Sequence, residues 1–229
     1  MLYFELYGLP GAGKTTVTSS LVEKLKADGY KVAERKDIFF RRGYKINSKS
    51  AYLEMLFQPS EYKLIWYYLR LYLKCRQKNR YYLKNLLFYS HQILMTIKEG
   101  KYDMMFLDAG VIASISSLFY MEDCFPDNSM DKIARYCSRL NINPIFCSVD
   151  IYESMTRIKE RHYFQKSRFS HSIGTEKLEI ALRHKIHNLK VIASFFSNHY
   201  EINMTDSIQQ NVGLLQSFVI QKITGKQNQ

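Results

Sequence analysis

Residues 8–16 read Gly8-Leu9-Pro10-Gly11-Ala12-Gly13-Lys14-Thr15-Thr16, and they meet every fixed position of G-x-x-x-x-G-K-[S/T]. The flanks supply the context such a loop requires. Upstream, LYFELY (residues 2–7) is an apolar, aromatic run of strand length. Downstream, TTVTSSLVEKLKADG carries Val17, Leu21, Val22 and Leu25 at helical spacing, with Gly29 as a stop. A glycine-rich turn between a strand and a helix can point backbone N–H groups at a phosphate, and the helix N-terminus adds a favourable dipole. Lys14 is then placed for β- and γ-phosphate oxygens, and the Thr15 hydroxyl for Mg²⁺.

Working outward, YKVAERKDIFF (residues 30–40) reads as a second extended stretch, so the first 40 residues predict a βαβ unit of a parallel sheet. Further strands are expected at 102–110, 141–150 and, weakly, 200–204. Helical patterns separate them at 112–121, 130–140, 152–161, 175–197 and 207–223. The expectation is a single three-layer α/β domain over 1–229, with a helical insertion at about 41–101 and no repeats.

Composition narrows the class. The chain has 229 residues, 46% hydrophobic and 24% charged, which excludes disordered, collagen-like and disulfide-scaffold proteins. Cys75, Cys124, Cys137 and Cys147 are scattered, and the start has no basic and apolar leader pattern, so a reduced, cytoplasmic setting is expected. No stretch reads as a membrane span. The net charge of +12 points to anionic partners, and residues 41–101 hold 13 Lys and Arg against three acidic residues, which is +10 of it. That insertion also carries 12 aromatic residues. It reads as acceptor-binding helices, as a packed helix pair with a solvated basic face, or as an anionic-polymer or membrane surface.

Other candidates lie at strand ends. MMFLD ends in Asp108, a carboxylate placed to hold Mg²⁺ through water or to orient an acceptor, or else to cap the next helix. After residue 150, YESMTRIKERHYFQKSRF carries Arg157 and Arg161 four apart on one helix face, with Lys166 and Arg168 beyond. Planar guanidinium groups suit the charge that develops in phosphoryl transfer, while salt bridges to Glu153 and Glu160 are the plainer alternative.

The loop, the insertion, the strand-ending Asp108 and the arginines together resemble the nucleotide and nucleoside kinase group of P-loop phosphotransferases, which includes thymidylate kinase. The resemblance implies a five-stranded parallel sheet of order 2-3-1-4-5, ATP and Mg²⁺ as cofactors, and a lid at about 151–172. It implies that Gly8, Pro10, Gly11, Ala12, Gly13, Lys14, Thr15, Thr16 and Arg157 bind the nucleotide. Thr15 and Asp108 would bind the metal, and Arg157 with Arg161 would stabilise transferring charge. An acid at the end of the second strand approaches the acceptor in such kinases. Asp37 is the first candidate and Glu34 the second, with Arg41 and Arg42 as anion binders. The chain departs from the group after Asp108, where Ala109-Gly110 stands in place of an arginine. The acceptor is therefore left as a nucleoside, a nucleoside monophosphate or another small hydroxyl compound. A P-loop ATPase switch is the rival reading, nucleic acid is not the expected partner, and a homodimer stays open.

Overall fold

A computed structural model of the chain describes residues 1–39, 54–55, 57–75, 80–119, 128–139, 141–164, 175–196 and 199–227. Its centre is β1 (Leu2–Gly8), whose seven residues are all buried. Alternation sends Tyr3 and Tyr7 to one hydrophobic layer and Phe4 and Leu6 to the other, so the strand is covered on both faces as a parallel strand must be. Phe4 stacks on Phe106 of β3 (Met104–Leu107) with ring centroids 4.9 Å apart. On the opposite edge β1 pairs with β4 (Ile142–Ser148), and β4 with β5 (Tyr200–Asn203). With β2 (Val32–Ala33) beside β3, all four strand pairings are parallel, and the order is β2-β3-β1-β4-β5. This is the α/β architecture and strand order expected.

Helix α1 (Lys14–Ala27) follows the loop. It ends where Gly29, at φ 91°, lets Gly29 N–H donate to Lys26 and Tyr30 N–H to Leu25, so the carbonyls of the last turn are satisfied. With α7 (Ile151–Phe164) and α9 (Ile208–Gln227) it covers the Phe4 face. The Tyr3 face is covered by α3 (Tyr62–Lys74), α4 (Arg80–Glu99), α5 (Val111–Leu118) and α6 (Asn128–Arg139). Helix α8 (Thr175–Ala193) sends Leu189 and Ile192 to this face, and Leu178 and Leu182 to the other. Among the described residues no helix is long and apolar enough to cross a membrane.

The second strand departs from expectation. Only Val32–Ala33 pair as β2, and the chain turns at once into α2 (Arg35–Phe39). The reason is local. Asp37 Oδ2 accepts the Glu34 N–H at 2.9 Å while the Glu34 carbonyl accepts the Ile38 N–H, so an acid three residues into the turn closes a helix N-terminus. The apolar tail Ile38-Phe39 imitates a strand in sequence.

Candidate active site

The loop is glycine where space or dihedral angle demands it. A Cβ on Gly8 would lie 2.4 Å from the Cys147 carbonyl oxygen, because β1 and β4 run together there. Gly11 and Gly13 sit at φ 82° and 83°, left-handed values that side-chain-bearing residues seldom adopt. Two groups from α7 hold the loop from outside. Ser154 Oγ donates to the Pro10 carbonyl at 2.7 Å, and Arg157 Nη1 donates to the Gly11 carbonyl at 3.3 Å. The same guanidinium reaches the Met204 carbonyl at 3.4 Å and Glu153 Oε1 at 2.5 Å. The salt bridge to Glu153 is thus formed, and the same guanidinium also ties the loop to the residue after β5.

Within the loop, Lys14 Nζ donates to the carbonyls of Leu9 at 2.6 Å and Gly8 at 3.2 Å. Thr15 Oγ1 donates to Asp108 Oδ2 at 2.5 Å, which joins the start of α1 to the end of β3. The other carboxylate oxygen, Asp108 Oδ1, is buried without a hydrogen bond and lies 3.5 Å from Arg35 Nη1. A hydroxyl beside a carboxylate with one buried oxygen that accepts no hydrogen bond is a donor set that fits Mg²⁺ held through oxygen and water.

Two cavities flank this axis. A space of about 740 Å³ is lined by Gly13, Thr15, Thr16, Arg157, Asp206 and Asn211 among others. A smaller one of about 150 Å³ is bounded by Thr15, Thr18, Glu34, Arg35 and Asp108. Gly11, Ala12, Gly13, Thr15, Thr16 and Arg157 thus converge on the larger space, and Thr15 with Asp108 on the smaller. Asp37 stands on α2 with one oxygen committed to the Glu34 N–H, not at a strand end. Glu34 borders the smaller cavity and is held below the usual carboxylate range, chiefly by its hydrogen bond from Lys26. Arg41, Arg42, Lys166 and Arg168 lie outside the described residues, as does the side chain of Arg161.

Three residues around this axis escaped the sequence reading. Arg35 pairs with Asp108 across 73 positions of chain. Glu5, fully buried in β1, accepts N–H groups of Gly110 and Ala113 at 3.1 and 3.0 Å and the Tyr3 hydroxyl at 2.7 Å. Burial pushes its carboxyl upward, and those donors oppose the shift. Lys185 of α8 donates to Ser116 Oγ at 3.0 Å and Ser117 Oγ at 3.3 Å, and burial, aided by repulsion from Lys14, pushes it down to about 8. Glu5 alone had a signal, since a charge inside an apolar strand requires a partner.

Solved structures share this fold. The shikimate kinase from Bacteroides thetaiotaomicron superposes with a TM-score of 0.52 at 15% identity, over 95% of this chain and 98% of that one. The deoxyadenosine kinase from M. mycoides with bound dATP gives 0.52 at 14% identity, over 95% and 99%. The same kinase with dCMP and dCDP gives 0.50 at 13%, over 95% and 98%. No protein-family profile and no curated protein sequence matches the chain. The architecture is that of P-loop small-molecule kinases, and identities this low speak to fold alone.

Proposed function

We propose that this chain is an ATP- and Mg²⁺-dependent phosphotransferase that moves the γ-phosphoryl group of ATP to a small acceptor, a nucleoside or nucleoside monophosphate. One observation carries the reading: the Thr15 hydroxyl and the Asp108 carboxylate, from two separate elements, meet at the foot of a glycine loop that Arg157 clamps. In this reading the larger cavity takes ATP, with the loop N–H groups on its phosphates. Lys14 exchanges the Gly8 and Leu9 carbonyls for β- and γ-phosphate oxygens. Thr15 and Asp108 would hold Mg²⁺, which supplies charge neutralisation between the phosphates when bound. Arg157 faces the charge that spreads over the transferring group, joined in the proposal by Arg161, and the segment at about 151–172 acts as the lid. Positioning and electrostatics then provide most of the catalysis.

Hydrolysis to drive a switch has less support, because Ala109 directly follows Asp108 and offers no side chain to place a water. The test is a screen with γ-labelled ATP across nucleosides, nucleoside monophosphates, sugars and hydroxy acids, run beside Lys14→Ala. Label should move to an acceptor with the parent protein, while the variant keeps its fold and loses turnover. An unchanged rate in Lys14→Ala refutes the assignment.

A further inference from the structure

We propose that Lys185, Ser116 and Ser117 form an anion-binding subsite for the acceptor, so that the molecule phosphorylated carries a phosphate or carboxylate of its own. The inference rests on the phosphotransferase reading for the word acceptor, and on side-chain geometry for the subsite.

Both serine hydroxyls donate to the Ala113 carbonyl, at 2.8 Å from Ser116 and 2.9 Å from Ser117. Their oxygens are thereby left as acceptors, and Lys185 Nζ takes both. An ammonium group has three N–H donors, so one remains for a further partner. No carboxylate lies within ion-pair distance of Lys185 among the described residues. A half-buried cation with two neutral partners and no counter-charge is a cost to the folded chain, and a leucine or methionine would fill the same space without it. Stability therefore gives no reason for a lysine here, whereas an incoming anion does.

Position argues against the nucleotide's own phosphates as that anion. The large cavity beside the loop is lined from α1, α7 and α9, the helices of the Phe4 face. Ser116 and Ser117 belong to α5, which packs on the Tyr3 face and starts directly after Asp108 and Gly110. Helix α5 thus lies on the opposite face of the sheet from the helices that line the cavity, and the charge of Lys14 is near enough to act on Lys185. A ligand anion on Lys185 would thus lie across the phosphate loop from ATP, on the side of the helical insertion.

The experiment uses the full chain with its loop filled by Mg²⁺ and a non-hydrolysable ATP analogue, which takes Lys14 out of play. Lysines are pulse-acetylated and each site is quantified by mass spectrometry, with inorganic phosphate or acetate as the probe. Labelling of Lys185 should fall at least about fivefold with one probe, while exposed Lys190 is unchanged. Phosphate protection points to a monophosphate acceptor, and protection by acetate to a carboxylate. Unchanged labelling with both probes overturns the proposal. In turnover, Lys185→Met should raise the acceptor KM by roughly 10- to 100-fold with the ATP KM unchanged, and Lys185→Arg should restore most of it. A neutral nucleoside used best, with a KM indifferent to Lys185→Met, overturns the subsite and leaves the phosphotransferase standing. Failure to bind Mg²⁺–ATP would instead remove the phosphotransferase, and labelling without the analogue would still decide whether Lys185 binds an anion.

Discussion

Replacing Gly110 by alanine should damage this protein far more than a glycine-to-alanine change at a helix start normally does. An added Cβ would lie 2.2 Å from the Tyr3 hydroxyl oxygen, 2.7 Å from Glu5 Oε2 and 2.9 Å from Glu5 Cδ. Neither side chain can swing into solvent, because both are fully buried. Space can be made only by separating the Tyr3–Glu5 hydrogen bond or by pulling Glu5 off the N–H groups of Gly110 and Ala113. Leaving one such buried group unsatisfied costs about 1–3 kcal/mol, and overpacking a core adds about 1–3 kcal/mol. The expected loss is therefore about 2–6 kcal/mol, a fall in Tm of roughly 4–24 °C for a chain of this size. Thermal unfolding followed by circular dichroism reads it directly. A second variant ties the loss to its cause. Tyr3→Phe deletes the atom at 2.2 Å, so Gly110→Ala on that background should cost at least about 1 kcal/mol less than on the parent. Additive behaviour, or a single-variant loss below about 1 kcal/mol, would refute the packing argument.

Other expectations can be checked with the same protein. Arg157→Ala should lower kcat by about 10²–10³-fold while weakening ATP binding much less, since the guanidinium is needed most when charge spreads; equal losses would mean ordinary ground-state binding. Asp37→Ala should cost about 0.5–2 kcal/mol through the lost α2 cap and leave kcat within a few fold; a large kcat loss would return Asp37 to the acceptor site. Acceptor affinity should decline as pH rises through about 8, where Lys185 loses its proton in the folded state, with Lys14 the charged neighbour that acts on it. Between that value and the unfolded lysine's, about 10.4, the unfolded chain binds more protons, so the Lys185 contribution to stability rises with pH across this window and is most unfavourable below it. Lys185→Met should accordingly stabilise the free protein at pH 7, and lose that advantage as the pH is raised to 10.

The parts of this molecule that were legible in sequence are those whose cause is local. The loop declared itself because three glycines are forced by a carbonyl at 2.4 Å and by two left-handed dihedrals, constraints that nearly fix residue type. Arg157 was legible because helical spacing places it, with Met155 and Ile158 buried on the inner side. The second strand is shorter than its sequence pattern suggests for an equally local reason, since the Glu34–Asp37 cap outweighs the extended tendency of the apolar Ile38-Phe39. What stayed hidden was assembled by the tertiary fold. Lys185 meets serines 68 and 69 positions away, and Glu5 meets the α5 N-terminus 105 and 108 positions away.

These hidden contacts bear on the departure after Asp108, where an arginine was expected and Ala109-Gly110 stands. Gly110 is pressed against Tyr3 and Glu5, and its N–H helps to hold a carboxyl buried in the middle of the sheet. With that carboxyl in β1, the start of α5 answers to core packing, and the backbone there is committed before any cation is considered. Cations come to Asp108 and to the flank of α5 from other elements. Arg35 reaches Asp108 Oδ1 from the first turn of α2, and Lys185 reaches the flank of α5 from α8. Such cations need not mimic an arginine on the β3 end in reach or direction. Arg35 engages the carboxylate itself, whereas Lys185 keeps a donor for something else. An acceptor selected by this arrangement would be chosen by where its own negative charge falls relative to α5, a geometric requirement that the residue after Asp108 alone would never reveal.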